Sequence, residues 1–349
     1  MAASGISYPI RTPAWTLTYA GSSQVANDIA PILIDLSYTD KTEKSAEEFE
    51  VTLADREKRW QGPWFPDRGD TITATIGYRG ERMLRCGTFQ VDEVELKGPP
   101  DQVHIKAIAT GITPDIRTAR TMGYEPGVEG GRLTLLDVAG NVARRHNLTL
   151  VGAPEPIDVS FDRLTQHKET DLQFLQRLAV EHNYTFSIKG NELIFFSRTT
   201  LESQPPVLAL SRHDCISFQF KIVTNLIFAT GNATYQVADT KTLSTATVDS
   251  PTPTPTKDVS RTINRAMSDQ HAQLKANAAL HETNKEQMTG TIETIGNVAL
   301  LSGNSIMVGG FGKFSGQYYI DQARHRLDRS RGYTTEVSFR NLPALTPTF

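Results

Sequence analysis

The sequence has few of the features that mark disulfide-bonded or nucleic-acid-binding proteins. Its 349 residues include only two cysteines, Cys86 and Cys215, and 36 basic residues stand against 39 acidic ones, for a net charge of −3. Two cysteines give no disulfide framework, so we predict two buried thiols in a reducing compartment. A near-neutral, slightly acidic balance argues against a dedicated nucleic-acid binder, which usually carries a basic excess.

Long apolar runs are also missing. No uninterrupted apolar segment approaches the ~20 residues that a membrane-spanning helix requires. The first fifteen residues, Met1 to Trp15, lack the charged start and apolar run of a signal peptide. We therefore expect a protein without a membrane segment that is made in the cytoplasm.

Recognisable chemical motifs are absent as well. Eight histidines are scattered through the chain without metal-ligand spacing. The glycine-rich segment 309–314 lacks the hydroxyl residue of a phosphate-binding loop, and we interpret it as a turn between strands. His213, Asp214 and Cys215 are adjacent, but consecutive strand residues point to opposite faces. They therefore cannot align as the nucleophile, base and orienting group of a catalytic triad. We predict no catalytic, cofactor-binding or metal-ligating residue.

Residues 1–111 show the period-two alternation that is typical of half-buried strands. Ile72, Ala74, Ile76 and Tyr78 are one example of it, and a phase slip predicts a β-bulge at Asp92–Glu93. Several such strands with turns between them favour an antiparallel β-barrel. The loop 59–70 contains Trp60 and Trp64, which either cover the mouth of the barrel or contact another protein.

Residues 112–200 change to a helical period and predict a small α/β domain. Thr170 and Gln173 fit a capping box, and His182-Asn183 is typical of a helix end. A β-hairpin follows, with strands at 185–188 and 193–196. An earlier helix beginning at Thr134 ends in the same way at His146-Asn147, so the unit is an internal duplication. In shape it resembles the peptidoglycan-binding LysM domains.

Residues 201–349 return to strands and predict a second β-barrel with an insertion at about 238–287. The alternating segment 216–222 is followed by 226–230, which we expect to be its partner strand. Segment 238–260 is rich in Thr, Ser and Pro, and we interpret it as an extended, mobile loop. Segment 263–287 reads as an exposed helix. The predicted fold class is therefore mainly β with α+β: two antiparallel barrels, an α/β domain between them, and a loop–helix insertion.

Three local motifs occur in a characteristic order and spacing: Gly69-Asp70 with 87–94 and Gly98-Pro99-Pro100, then 169–179, and finally 310–340. Together they resemble the phage late control D family, the baseplate hub proteins of contractile tails. The likeness extends more distantly to the T4 hub and to the N-terminal part of type VI secretion spike proteins.

The resemblance implies two tube-like barrels in one chain, so that a homotrimer presents six similar barrels in a ring. Such a structural hub would join a six-fold tail tube, or its initiator protein, to a three-fold central spike, and would contact other baseplate proteins. DNA would pass through its channel without specific binding. The implied location is the virion tail baseplate, of a phage or of a pyocin-like particle, assembled in the host cytoplasm with the spike as a separate chain.

Two other functions are alternatives to the hub. A peptidoglycan-binding tail module would act through the LysM-like domain. A wall hydrolase would need a pair of carboxylates or a Cys–His pair in a cleft, and the sequence offers no such candidate. We therefore predict that the protein is not an enzyme.

Overall fold

The computed structural model describes residues 11–21, 29–42, 47–110, 115–127, 131–154, 160–223, 227–236, 243–250, 259–263 and 269–342. Strands dominate these residues, and the few helices lie in the middle of the chain and before the last strands. The predicted fold class, mainly β with α+β, is confirmed.

The first β region contains six antiparallel strands. Alternate side chains on each strand are buried; Val103, Ile105 and Ala107 pack inward beside Phe49 and Phe89. The register shifts between Val91 and Glu93, which confirms the predicted bulge. The strands are β1 (Pro13–Ala20), β2 (Leu33–Lys41), β3 (Glu48–Ala54), β4 (Thr71–Tyr78), β5 (Leu84–Lys97) and β6 (Gln102–Ala109).

The middle unit joins two helices to two small sheets. Its elements are β7 (Ala119–Tyr124), α1 (Leu135–Arg145), β8 (Thr149–Ala153), β9 (Leu164–Thr170), α2 (Asp171–Glu181), β10 (Tyr184–Lys189) and β11 (Glu192–Ser197). One sheet is the pair β7–β9, and the other has three strands in the order β10-β11-β8, in which β11 and β8 are parallel. The core of the unit includes Phe174, Leu178 and Phe195.

Both helices of the middle unit begin and end as the sequence predicts. Thr170 and Gln173 form a reciprocal capping box, and Thr134 forms one with Asp137 at the start of α1. Asn147 and Asn183 follow the helix ends with φ of 55° and 62°, the left-handed conformation that Asn tolerates. The predicted duplication of helix, Asn and strand is therefore visible in the backbone.

The second β region and its insert complete the chain. The turn at 310–315 lies between two of its strands, as predicted. The elements are α3 (Arg198–Glu202), β12 (Leu208–Ser211), β13 (Cys215–Ile222), β14 (Thr230–Gln236), β15 (Leu243–Asp249), β16 (Val259–Ile263), α4 (Asp269–Asn284), β17 (Met288–Ile295), β18 (Ser305–Gly309), β19 (Gly316–Asp328) and β20 (Gly332–Asn341).

The insert differs from its prediction. Segment 238–260 was expected to be a loop, but β15 and β16 flank β14 in a three-stranded sheet. The helix α4 is not exposed, since Ala272 and Ala276 are fully buried against Ala233 and Ala246. Small side chains let the helix approach the sheet closely, and this contact leaves only a weak apolar periodicity in the sequence. The Thr–Pro tract at 251–256 lies outside the described residues.

Two further predictions are wrong. The partner of β13 is β17, from the far side of the insert, and not the segment that follows it at 226–230. Cys86 is buried as predicted, but Cys215 is partly exposed at the start of β13. Adjacency in sequence is a poor guide here because the insert separates strands that are neighbours in space.

One sheet connects both β regions. Its twelve strands include the path β1-β4-β5-β6-β3-β2-β19-β20-β17-β13, with β18 and β12 branching from β19. The seam is the antiparallel pairing of β2 with β19, in which Tyr38 faces His325 and Leu36 faces Leu327. Leu327 and Tyr333, from the second region, belong to the core of the first. The predicted boundaries at 111 and 200, and the closure of each region into a barrel, stay predictions.

Three buried histidines are held neutral. His325 lies at the seam, where the Tyr333 hydroxyl is 2.7 Å from Nδ1 and the Leu300 carbonyl is 2.9 Å from Nε2. His182 of the middle unit stacks on His271 of α4, with their Nε2 atoms 3.3 Å apart. Burial lowers the pKa of each of the three to about 4.

We expect the free energy of unfolding to decrease as the pH falls from about 6.5 to 4. The unfolded chain binds protons on these histidines in that range and the folded chain does not, at a cost of up to about 3 kcal/mol per histidine. Urea titrations of wild type and His325→Gln at several pH values measure the free energy of unfolding. Between pH 6.5 and 4 this free energy should change less steeply with pH in the variant than in the wild type.

His213→Gln is the matched control, because His213 is exposed and its loss should leave the slope unchanged. Equal slopes for wild type and His325→Gln would contradict the assignment.

Candidate assembly surfaces

The continuous sheet has a polar face that crosses the seam without a break. Residues directly opposite one another on paired strands lie on the same face. The register therefore defines two rows across the sheet. One contains Lys106, Glu50, Ser37, Arg326 and Thr334, and the other contains Glu48, Thr39, Arg324, Glu336, Glu293 and Ser217.

Basic and acidic side chains are interspersed on this polar face and partly neutralise one another. Arg324 lies 3.6 Å from the Glu50 carboxylate and donates to the Ser37 hydroxyl at 2.9 Å. The neighbouring Lys41 lies 2.9 Å from Glu48. The two rows carry three basic and four acidic side chains, the basic ones being Lys106, Arg324 and Arg326. The face is therefore polar and weakly acidic over both β regions.

Within the described ranges, each of the two strands that end the sheet path has one strand partner: β1 pairs with β4, and β13 pairs with β17. On the outer side of β1, the Ile29 amide donates to the Leu17 carbonyl at 3.2 Å. On β13, Phe218 and Ile222 are 41% and 40% exposed, although their strand neighbour Phe220 packs in the core of the second region. Phe218 contacts Phe311 edge-on at 4.9 Å, and the Arg212 guanidinium covers the Phe218 ring. Phe218 and Ile222 therefore continue the apolar layer of the second core to the outer edge of β13, and we call them the apolar edge.

The tryptophan loop lies beside the first β region. Trp60 is 2% exposed and packs edge-on against Tyr19 and Trp64, which supports the interpretation that it covers the core. Phe65 on the same loop is 58% exposed. A groove of about 490 Å³ runs beside the two tryptophans, so this loop also offers a surface for contact.

A buried polar junction connects three parts of the chain. Lys189, at the hairpin turn of the middle unit, donates to Asp40 Oδ1 of β2 at 2.5 Å and to the Ser302 hydroxyl at 2.9 Å. The Ser302 amide donates to Asp40 Oδ2 at 2.8 Å. Glu47 accepts from the Tyr38 hydroxyl at 2.8 Å, and burial, together with the Asp40 charge, raises the pKa of Glu47 to about 7. We call Asp40, Glu47, Lys189 and Ser302 the junction.

The sequence neighbours His213, Asp214 and Cys215 do not converge on one reacting point. Asp214 accepts from the Ser211 amide and hydroxyl, and these bonds lower its pKa. Burial raises the pKa of the Cys215 thiol, which disfavours the nucleophilic thiolate. His213 and Asp214 lie in a short helical turn ahead of β13, not on the strand as expected.

Among the residues that the structure describes, no group of three or more His, Cys, Asp or Glu side chains could hold a metal ion. No helix within the described ranges is both long and apolar enough to cross a bilayer.

Two curated relatives are similar to this chain. A probable baseplate hub protein of Escherichia phage 186 is 28% identical over 214 residues, which is 60% of this chain and 52% of that protein. The corresponding protein of Escherichia phage P2 is 26% identical over 205 residues, 58% of this chain and 51% of that protein. The chain thus spans about half the length of the curated relatives it matches. No protein-family model matches it.

Solved structures share the fold at low sequence identity. A tail protein from Neisseria meningitidis MC58 has a TM-score of 0.66 at 14% identity and covers 95% of this chain and 96% of its own. A component of the type VI secretion system of E. coli is described as similar to the T4 tail proteins gp27 and gp5. Its structure has a TM-score of 0.54 at 14% identity, and the match covers 95% of this chain and 80% of that chain. The predicted resemblance to the baseplate hub family is confirmed.

Proposed function

We propose that the protein is a structural baseplate hub of a contractile tail, in which three copies form a ring around a channel. The ring would join a six-fold tail tube on one side to a three-fold spike on the other, within the virion tail. Its role would be mechanical and not enzymatic. The observation that carries the proposal is the single sheet that runs through two β regions of one chain.

Two β regions in one chain offer a way to match different symmetries. Three copies of the chain contain six β regions, so a closed ring of three presents a pseudo-six-fold surface to a tube and three-fold features to a spike. Features that occur once per chain, such as the middle unit and the tryptophan loop, repeat three times in such a ring. The similarity to a type VI secretion component described as like gp27 and gp5 supports this role.

The two strands that end the described sheet path supply a means of closing the ring. β1 and β13 are both eight residues long. Exposed backbone N–H and C=O groups on an edge strand pair readily with another strand. A head-to-tail contact between β13 of one copy and β1 of the next continues the sheet and covers Phe218 and Ile222. Such heterologous contacts close into rings when the rotation between copies allows it.

The polar face of the sheet is the surface that suits a channel for DNA. Affinity for DNA comes largely from basic side chains that neutralise phosphates. On this face Arg324 is already engaged by Glu50, and acidic residues outnumber basic ones in the two rows. A channel lined in this way would let DNA pass without retaining it.

Ring formation should depend on the apolar edge. Phe218→Asp with Ile222→Asp should leave the single chain folded, because the two side chains are 41% and 40% exposed and lie outside the buried core cluster. The same change should abolish trimers, because it places charges where the next copy docks. Light scattering of wild type and variant, alone and with a partner spike protein, gives the masses. Met122→Asp, which changes an apolar strand residue of the middle unit with similar exposure (37%), is the control.

A wild-type protein that stays monomeric with every spike tested would overturn the hub proposal. A trimer that survives the double substitution would overturn only the role of the β13 edge.

Reversing charges on the polar face should create affinity for DNA. Glu50→Lys with Glu336→Lys frees Arg324 and adds two cations, so trimers should retain DNA at low salt and release it as salt rises. Glu57→Lys with Glu125→Lys changes the net charge equally at exposed positions, and should retain less. Equal retention by both variants, measured by filter binding, would count against this face as the channel wall.

The second candidate, peptidoglycan binding through the middle unit, rests on its resemblance to LysM domains. A pull-down with purified cell wall tests it directly. A hub without this activity should remain in the supernatant, and sedimentation of the wild type would favour the alternative.

A further inference from the structure

The junction holds an amine and two carboxyl groups that neither the fold nor the proposed ring accounts for. The Asp40 side chain is 1% exposed and Glu47 is 4% exposed. Burying ions costs several kcal/mol each even when they are paired, and well-packed apolar residues often serve stability as well. A lysine that faces two buried carboxyl groups therefore stabilises the contact between the three segments no better than apolar packing would.

The reacting atoms are already in contact. Lys189 Nζ lies 2.5 Å from Asp40 Oδ1, so the amine is next to the Asp40 carboxyl carbon. The Ser302 hydroxyl donates to the same Oδ1 at 2.8 Å and also accepts from Nζ. Reactants held in this way gain the large rate advantage of an intramolecular reaction.

The groups needed for proton transfer and charge stabilisation surround this contact. Glu47 hydrogen-bonds to Asp40 and is fixed from its other side by the Tyr38 hydroxyl. Its raised pKa, about 7, leaves a proton on a large share of the Glu47 carboxyl groups at neutral pH. The Ser302 amide donates to Asp40 Oδ2 at 2.8 Å, where negative charge would develop during attack on the carboxyl carbon.

We infer that Lys189 and Asp40 become joined by an isopeptide bond, formed by the protein itself with Glu47 as the catalytic acid and base. The proposal does not depend on the proposed function, since it concerns bonds within one chain.

The reaction balances without any further reactant. A proton first passes from the Lys189 ammonium to Asp40 Oδ1, which leaves a neutral amine and a carboxylic acid. The Nζ lone pair attacks the carboxyl carbon, and the C=O electron pair moves to Oδ2 beside the Ser302 amide. Glu47 donates its proton to Oδ1, which leaves as water while the C=O bond re-forms. The remaining extra proton on Nζ returns to Glu47, so the products are one amide and one water.

The bond would tie the middle unit covalently to the first β region. Asp40 and Lys189 are 149 positions apart, and a cross-link that closes a long loop strongly restricts the unfolded chain. The third segment of the junction, Ser302, would keep the second β region in contact with the linked pair. The bond would then hold the middle unit and the first β region together under mechanical force, with the second β region in contact through Ser302.

Intact-protein mass under denaturing conditions tests the proposal on the full chain. The wild type should be lighter than its sequence by one water, and fragment spectra should contain one peptide pair linked through Asp40 and Lys189. Lys189→Arg keeps the charge but cannot form this amide, and Glu47→Gln lacks the acid. Both variants should show their full calculated mass.

Lys41→Arg is the matched control. Lys41 follows Asp40 on β2 and pairs with Glu48 of β3, so its replacement should leave the mass loss intact. A wild-type protein at its full mass, after prolonged incubation at neutral pH, overturns the proposal whatever the variants do. So does a loss of water that persists in Lys189→Arg, because it must then arise elsewhere.

Discussion

The pairing of β2 with β19 is the constraint on which the rest of the structure depends. Strands far apart in sequence form seven consecutive pairs there, from Asp35 with Asp328 to Lys41 with Gln322. Because residues opposite one another share a face, this register also fixes which side chains line the polar face and which enter the cores. A slip of one residue would turn His325 and Leu327 outward and place charged neighbours inside.

The parts added to the sheet are held by polar contacts as much as by apolar ones. The core of the insert is small and consists largely of alanines. Its helix α4 is fastened to the middle unit by the His182–His271 stack and to α3 through Arg198 with Glu282 and His281 with Glu202. Buried polar contacts of this kind are directional, so they fix one arrangement where a few alanines could not.

Local features were predictable where the signal is local. Capping boxes, asparagine helix ends, the hairpin and the β-bulge each depend on residues within a few positions of one another, and each is present. The insert and the partner of β13 were not predictable in this way. Alanine-rich contacts leave little periodicity, and the pairing of β13 with β17 spans the whole insert. The junction was not predictable from the sequence because its members come from three separate parts of the chain.

The sequence by itself determined the mainly β class, the duplicated helical unit and the resemblance to baseplate hubs. Alternation of apolar and polar residues, helix caps and the order of the motifs all depend on residues that are close together in the chain. Only the tertiary structure decided that the two β regions share one sheet, that the described path of this sheet runs from β1 to β13, and that Lys189 meets Asp40 and Ser302. These contacts join residues with no relation in sequence. Their partners are chosen by the burial of apolar faces and by backbone hydrogen bonding across the assembled fold.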